Sequence, residues 1–281
     1  MSFLDRIAAC NNADLGRYRP FYVAGQRVGW VGEAMAERLR DFPELFTVLV
    51  DSATLNPDID GFEARSVAVD GALRTLHADG VIPGWRDEPY PVATAFAAPP
   101  LMRMERAAVP WFGIRAYGIH MNGFVRDGAA VHMWIGRRAM DKPTYPGLRD
   151  NMVAGGQPLG IGLMANLIKE AAEEAAIPEA VARRARPVGA ISYCAETAEG
   201  VKPDVQFCYD LELSADFTPH NTDGEIASFE LMPVEDVLRI VAETTEFKFN
   251  CNLVIIDFAI RHGLIPPEHP DYLDILSGLH R

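Results

Sequence analysis

The sequence predicts an α+β protein made of a small N-terminal α+β unit, residues 1–110, and a larger second unit, residues 111–281. Three observations carry that expectation. Runs with two-residue apolar alternation and runs with a helical repeat are mixed along the whole chain, which excludes an all-α or all-β class. Turn-forming residues break regular structure at 82–91 and again at Pro99-Pro100, so a loop-rich exit precedes the second unit. The 281 residues are 49% hydrophobic and 23% charged, the composition of a folded protein with room for one large domain or two ordinary ones.

Taken in order, residues 1–20 read as a short amphipathic helix ending before Pro20. Phe21 to Val31 alternates as a small hairpin turning at Gly25-Gln26. Glu33 to Arg40 is helical, Phe46 to Val50 a brief strand, and Val67 to Gly80 a second helix. In the larger unit, Ile114 to Phe124 and Ala130 to Ile135 are strands around the turn signal Arg126-Asp127-Gly128. A loop over 139–150 leads to a short strand, Met152 to Ala154, which enters the loop opened by Gly155-Gly156. A helix from Leu163 to Ala176 follows, and Pro178 starts another, since its missing N–H costs little at a helix start. Val188 to Cys194, Val205 to Leu213 and Glu225 to Leu231 are strands, with a turn at Glu199-Gly200. Val234 to Glu243 and Asn250 to His262 close the chain as helices.

Composition excludes several functions. A net charge of −13 argues against a general nucleic-acid binder or an acidic-membrane binder, both of which need clustered basic surface. Cys10, Cys194, Cys208 and Cys251 form no CxxC pair, so reduced thiols in a cytoplasmic protein are expected. The first twenty residues have the pattern of neither a signal peptide nor a membrane anchor. Gly160-x-Gly162-x-x-Ala165 matches a loose dinucleotide fingerprint but lacks the acidic residue about twenty positions on.

Residues 155–177 hold the chemistry. A glycine pair runs into a helix carrying Lys169-Glu170-x-x-Glu173-Glu174, and spacings of three and four residues gather those carboxylates on one face. Such a set repels itself, and an oxygen-loving Mg2+ or Mn2+ is its simplest neutraliser, with substrate phosphates completing the shell. Glu173 and Glu174 are the leading metal ligands, and Glu170 is a third ligand or orients the attacking water. Glycines at 155 and 156 let the backbone approach, and a carbonyl from that loop is a candidate additional ligand.

This stretch resembles the Nudix box, G-x5-E-x7-R-E-U-x-E-E-x-G-U, where U is aliphatic. Lys169 takes the Arg place, Ala176 the Gly place, and the first Glu is missing: Gly162 or Ile161 stands there, depending on register. The runs 142–147 and 150–156, together with Tyr209-Asp210-Leu211-Glu212, Asp223-Gly224-Glu225 and the stretch 251–258, are similar to the Nudix branch with an extra N-terminal domain. That branch is usually placed beside thiamine pyrophosphokinase, and lack of the first box Glu looks typical of it. The resemblance implies a Nudix-type α/β/α sandwich and metal-dependent hydrolysis of an organic diphosphate, nucleoside-diphosphate-like or thiamine diphosphate and its damaged analogues. It also implies that Lys169 stands in for the Arg that fixes a carboxylate. Related enzymes draw a general base from a loop after the central strands, where Glu225 lies. The alternatives are a non-catalytic ligand-binding Nudix domain and a prenyl-diphosphate isomerase, which would need a Cys and a Glu beside the metal. Trp111, Trp134 and Tyr145 are candidates to stack on a heterocycle. Residues 1–110 are left as either a lid over the pocket or a homodimer surface.

Overall fold

The computed structural model describes residues 2–142 and 144–280. Met1, Pro143 and Arg281 lie outside the described residues, and Pro143 belongs to the run 142–147 that carries part of the resemblance. The chain opens with α1 (Phe3–Cys10), started by a reciprocal cap in which the Ser2 hydroxyl accepts the Asp5 N–H and the Asp5 carboxylate accepts the Ser2 N–H. This helix ends ten residues before Pro20. Asn11 and Asn12 instead turn their side-chain carbonyls to the N–H groups of Cys194 and Glu196, 3.2 and 2.8 Å away. Pro20 lies within a strand, β1 (Arg19–Val23), where only the β2 side is paired at that position.

The first sheet has the order β2 (Gln26–Val31), β1, β4 (Ala53–Leu55), β3 (Phe46–Val48). Helices α2 (Glu33–Leu39) and α3 (Phe62–Ala78) cover it, and Phe21 meets Phe112 edge-on at 5.1 Å in its core. The stretch 82–105 is more ordered than its prolines suggest. Pro89 and Pro91 sit in β5 (Pro89–Val92), which pairs only with β6 (Met102–Glu105), and a two-stranded ribbon leaves the proline nitrogens facing no neighbour strand.

In the second unit, β7 (Tyr117–Asp127) and β8 (Ala130–Arg138) form the expected hairpin, longer than the sequence indicates. They centre a sheet ordered β11 (Arg186–Ser192), β14 (Val205–Glu212), β7, β8, β15 (Ile226–Pro233). β9 (Arg149–Asp150) pairs with the end of β8, and β10 (Val153–Gly156) pairs with residues 118–121 of β7. β12 (Ala195–Thr197) and β13 (Gly200–Lys202) make a side hairpin at the Glu199-Gly200 turn.

Alternation along β7 and β8 sorts the two faces. Ile119, Met121, Val125 and Trp134 meet α4 (Leu163–Ala175) and α5 (Glu179–Ala182) on one side. Phe124, Met133 and Ile135 meet α6 (Val234–Glu243), α7 (Cys251–Arg261) and α8 (Tyr272–Gly278) on the other. The result is an α/β/α sandwich. Ile7 and Cys10 of α1 lie in this second core rather than in the first.

Helix α4 stops at Ala176, the residue in the box glycine's place, with φ 51° and ψ 35°. A left-handed turn there lets Ile177 bury completely while its N–H returns to the Ala171 carbonyl at 3.0 Å. An L-residue is disfavoured in that conformation and glycine is not. Ala176→Gly is therefore expected to stabilise the fold by up to about 1 kcal/mol. Urea unfolding reads this directly, and a lowered midpoint would show that the methyl contacts outweigh the relieved backbone.

Candidate active site

Helix α4 forms because its apolar residues recur at helical spacing: Leu167, Ala171 and Ala175 are all fully buried against the sheet. That seating turns Lys169, Glu170 and Glu173 outward beside β10. Lys169 Nζ lies 3.2 Å from Glu170 Oε1 and 2.7 Å from Glu173 Oε2. Glu174 faces inward, is 4% exposed, and accepts the Ala154 N–H at 2.8 Å. Burial raises the Glu170 carboxyl above its ordinary value despite Lys169. Burial also pushes Glu174 well up, and Asp150, Glu170 and Glu225 add to it. The Lys169 ammonium rises to about 12: burial opposes its charge, but Glu173 and Glu170 outweigh that.

Gly155 and Gly156 are strand residues of β10 rather than a loop. Gly155 sits opposite Ile119 in the ladder, and a Cβ there would fall 2.5 Å from the Glu170 carboxyl carbon. The Gly156 carbonyl is taken by Asn166 Nδ2 at 2.7 Å. Glu225, at the foot of β15, forms an ion pair with Lys142. Burial would raise its pKa, but Lys142 prevails and holds it below the ordinary range.

Lys169, Glu170, Glu173, Glu225, Gly155 and Gly156 all line one cleft of about 860 Å3 between the two units. Its walls add groups that the sequence does not single out. Tyr90 and Arg106 come from the N-terminal unit, and His120, Arg138, Tyr193, Asp204, Gln206 and Lys248 come from the sandwich. They stand alone in sequence, in no spaced pattern, and long-range pairing brings them together. Tyr145 also lines the cleft, packed on Phe249 at 5.5 Å. Trp134 is core, and Trp111 packs against the first core. Cys208 is buried among the α7-side residues, and neither it nor Cys194 reaches the cleft.

As placed, Glu170 and Glu173 share Lys169 while Glu174 is held by the Ala154 N–H, and the three do not gather their oxygens within 4.8 Å. Among the described residues the group that does is His120, Asp150 and Cys251. That trio is a poor cation site. Asp150 already has Arg138 at 2.8 Å and Lys248 at 3.7 Å, and burial pushes the Cys251 thiol, which bonds to Asp150 at 2.7 Å, far from thiolate. The glutamates offer only oxygen donors, with the half-exposed Lys169 ammonium beside them, and those donors fit a hard divalent ion.

Comparison with known proteins settles the family. Residues 2–116 match the family model described as Domain of unknown function (DUF4743). Nudix hydrolase 20, chloroplastic, of Arabidopsis thaliana is 46% identical over 289 residues, spanning 99% of this chain and 77% of that protein. Nudix hydrolase 24, chloroplastic, of the same plant is 46% identical over 281 residues, with the same shares. The chain belongs to the Nudix hydrolase family. It is thus an enzyme of the pyrophosphohydrolase kind, from a family that works with divalent metal ions. The NUDIX domain of Shewanella oneidensis NrtR complexed with ADP ribose aligns over 53% of this chain and 90% of that one, at 15% identity and a TM-score of 0.43. The expected cytoplasmic location is corrected by the two plant relatives, which are named chloroplastic. Among the described residues no helix is long and apolar enough to cross a membrane.

His120 at the cleft floor is 3% exposed, and its Nδ1 pairs with Asn151 Oδ1 at 2.8 Å. Burial, helped by the Lys248 charge and opposed by Asp150, lowers its pKa from 6.5 to about 4. A histidine with a lowered folded pKa favours the fold above pH 6.5 and loses that contribution as pH falls towards 4. His120→Gln is therefore expected to show about 2–3 kcal/mol less loss of stability between pH 7.5 and 4.5 than the parent. Urea unfolding at the two pH values measures the difference, and parallel losses would refute the buried neutral imidazole.

Proposed function

We propose that this Nudix hydrolase cleaves the diphosphate bond of a small organic diphosphate, with Mg2+ or Mn2+ held by Glu170, Glu173 and Glu174. The observation that carries the reading is that Glu170, Glu173 and Glu225 line one cleft together with Arg106, Arg138, Lys142 and Lys248, while Glu174 turns inward to the Ala154 N–H. An acidic end suits cations, and a basic wall suits the phosphoryl groups they accompany. The sequence branch narrows the substrate to a nucleoside-diphosphate-like compound, or to thiamine diphosphate and its damaged analogues. Tyr145 and Phe249 offer an aromatic surface for the organic group.

A divalent ion bound here neutralises the diphosphate and acidifies a water. Other roles belong to the chain itself. Lys142 keeps Glu225 ionised, so its carboxylate accepts the proton of the attacking water. The new P–O bond forms as the bridging P–O bond breaks, and the leaving phosphoryl oxygen departs with that electron pair. Basic residues of the wall hold the growing negative charge. A cation held by the glutamates would take over the charge balance that Lys169 supplies. Nothing in the cleft supplies the Cys–Glu pair of a prenyl isomerase, since Cys194 and Cys208 lie outside it.

Phosphate or monophosphate release is measured across thiamine diphosphate, its oxidised analogues, ADP-ribose, NADH and nucleoside diphosphates, with and without Mg2+. Metal-dependent cleavage of one member is expected. Glu173→Gln and Glu174→Gln are expected to lower kcat/KM by about 100-fold or more, and Glu225→Gln kcat by about 100-fold. Unchanged hydrolysis in Glu173→Gln would sink the metal assignment.

A further inference from the structure

The N-terminal unit reaches the cleft with two polar side chains that no feature of the Nudix box explains. Tyr90 on β5 is 4% exposed, and its hydroxyl has no hydrogen-bond partner among the described residues. Buried hydroxyls are almost always satisfied, so this one is aimed at something that arrives. Beside it, Arg106 stands over the Tyr90 ring, 5.7 Å from its centroid. Arg106 Nη1 is held by Glu88 Oε2 at 2.7 Å, which leaves Nε and Nη2 without a partner among the described residues.

Both groups close on Gly156. A Cβ at that residue would overlap the Tyr90 hydroxyl and lie 3.4 Å from Arg106 Cζ, whereas one at Gly155 would collide with Glu170. Successive strand residues face opposite ways. Glu170 therefore abuts one side of the β10 edge, and Tyr90 with Arg106 abuts the other. The same cleft includes both sides.

We propose that Tyr90 and Arg106 bind non-bridging phosphoryl oxygens of the diphosphate across the β10 edge from the glutamates, which makes the N-terminal unit half of the active site. The inference rests on the reading of the cleft as a diphosphate site. Arginine presents a planar fork of N–H donors that matches a phosphoryl group, and the phenol adds one donor beside it. Glu88 keeps the fork oriented. Gly156 is required because any side chain there would separate the two donors from the strand edge.

The test uses the full chain and two probes. Mn2+ affinity is followed by electron paramagnetic resonance, and inorganic pyrophosphate is titrated calorimetrically with and without Mn2+. Arg106→Gln is expected to weaken pyrophosphate binding about tenfold or more with Mn2+ affinity unchanged. Arg106→Lys should recover only part of the loss, because it lacks the fork. Tyr90→Phe removes only the unpartnered hydroxyl, so it should keep the parent's unfolding midpoint and still weaken pyrophosphate by about threefold or more. Pyrophosphate binding that is unchanged in both Tyr90→Phe and Arg106→Gln overturns the proposal, as does a parent protein that binds no pyrophosphate under either condition. Pyrophosphate binding that falls in Arg106→Gln while the parent shows no Mn2+ affinity supports it and removes the metal reading of the glutamates.

Discussion

The Glu174 carboxylate, folded inward to accept the Ala154 N–H, is the contact on which the site's geometry depends. Strand β10 is an edge strand at that point, and its outward N–H would otherwise be unpaired. By taking that donor from one turn beyond Glu170, Glu174 pins α4 across the strand and fixes how far the outer glutamates stand from it. Gly155 then matters for the space it leaves, since Glu170 occupies the volume a side chain would fill. The arrangement concentrates negative charge next to buried apolar surface, where repulsion is poorly screened. Lys169 relieves part of it from outside, and a divalent cation would relieve more.

A second constraint comes from Asp150, whose side chain is 2% exposed. An isolated buried carboxylate is expensive, and here the Lys248 and Arg138 charges overcome the burial and hold it ionised, at a pKa of about 2. Arg138 also donates to the carbonyls of Thr144 and Tyr145, so the ion pair anchors the 139–150 loop by its backbone. Lys142, in that loop, reaches Glu225. A chain of contacts therefore runs from the sheet centre to the candidate base. Removing Asp150 would leave Arg138 and Lys248 without their shared counter-charge, and its effect would reach Glu225 without touching it.

The legible parts of this protein are those written in local periodicity. Leu167, Ala171 and Ala175 announce α4 and its buried face, whereas the three- and four-residue spacing of Glu170, Glu173 and Glu174 does not show that Glu174 turns inward to the Ala154 N–H. The Arg126-Asp127-Gly128 turn likewise fixes a hairpin. What stays hidden is set by pairing at a distance. Pro89 and Pro91 read as breakers because a sequence cannot show that β5 has a neighbour on one side only. Gly155 and Gly156 read as a loop because β7 supplies their ladder from more than thirty positions away. His120, Asp150 and Lys248 lie far apart in sequence and carry no spacing signal, so only the folded chain gathers them.

The same kind of long-range placement decides how the N-terminal unit relates to the sandwich. Its sheet and core span residues 19–114, yet the chain before that sheet is not free. Helix α1 buries Ile7 and Cys10 in the sandwich core, Arg6 donates to the Val241 carbonyl at 2.8 Å, and Asn11 and Asn12 hold the 194–196 backbone. At its other end the unit runs directly into β7, the centre of the large sheet. A segment fastened at both ends lacks the single hinge that a swinging lid uses. Gly200 packs against the Pro110 backbone as well, too closely to admit a side chain, which ties the side hairpin to the exit of the unit. Such fastening favours a wall over a swinging lid. A wall can present Tyr90 and Arg106 in place before substrate arrives, so less conformational freedom is lost on binding, and the cleft is organised in advance for the charge it meets.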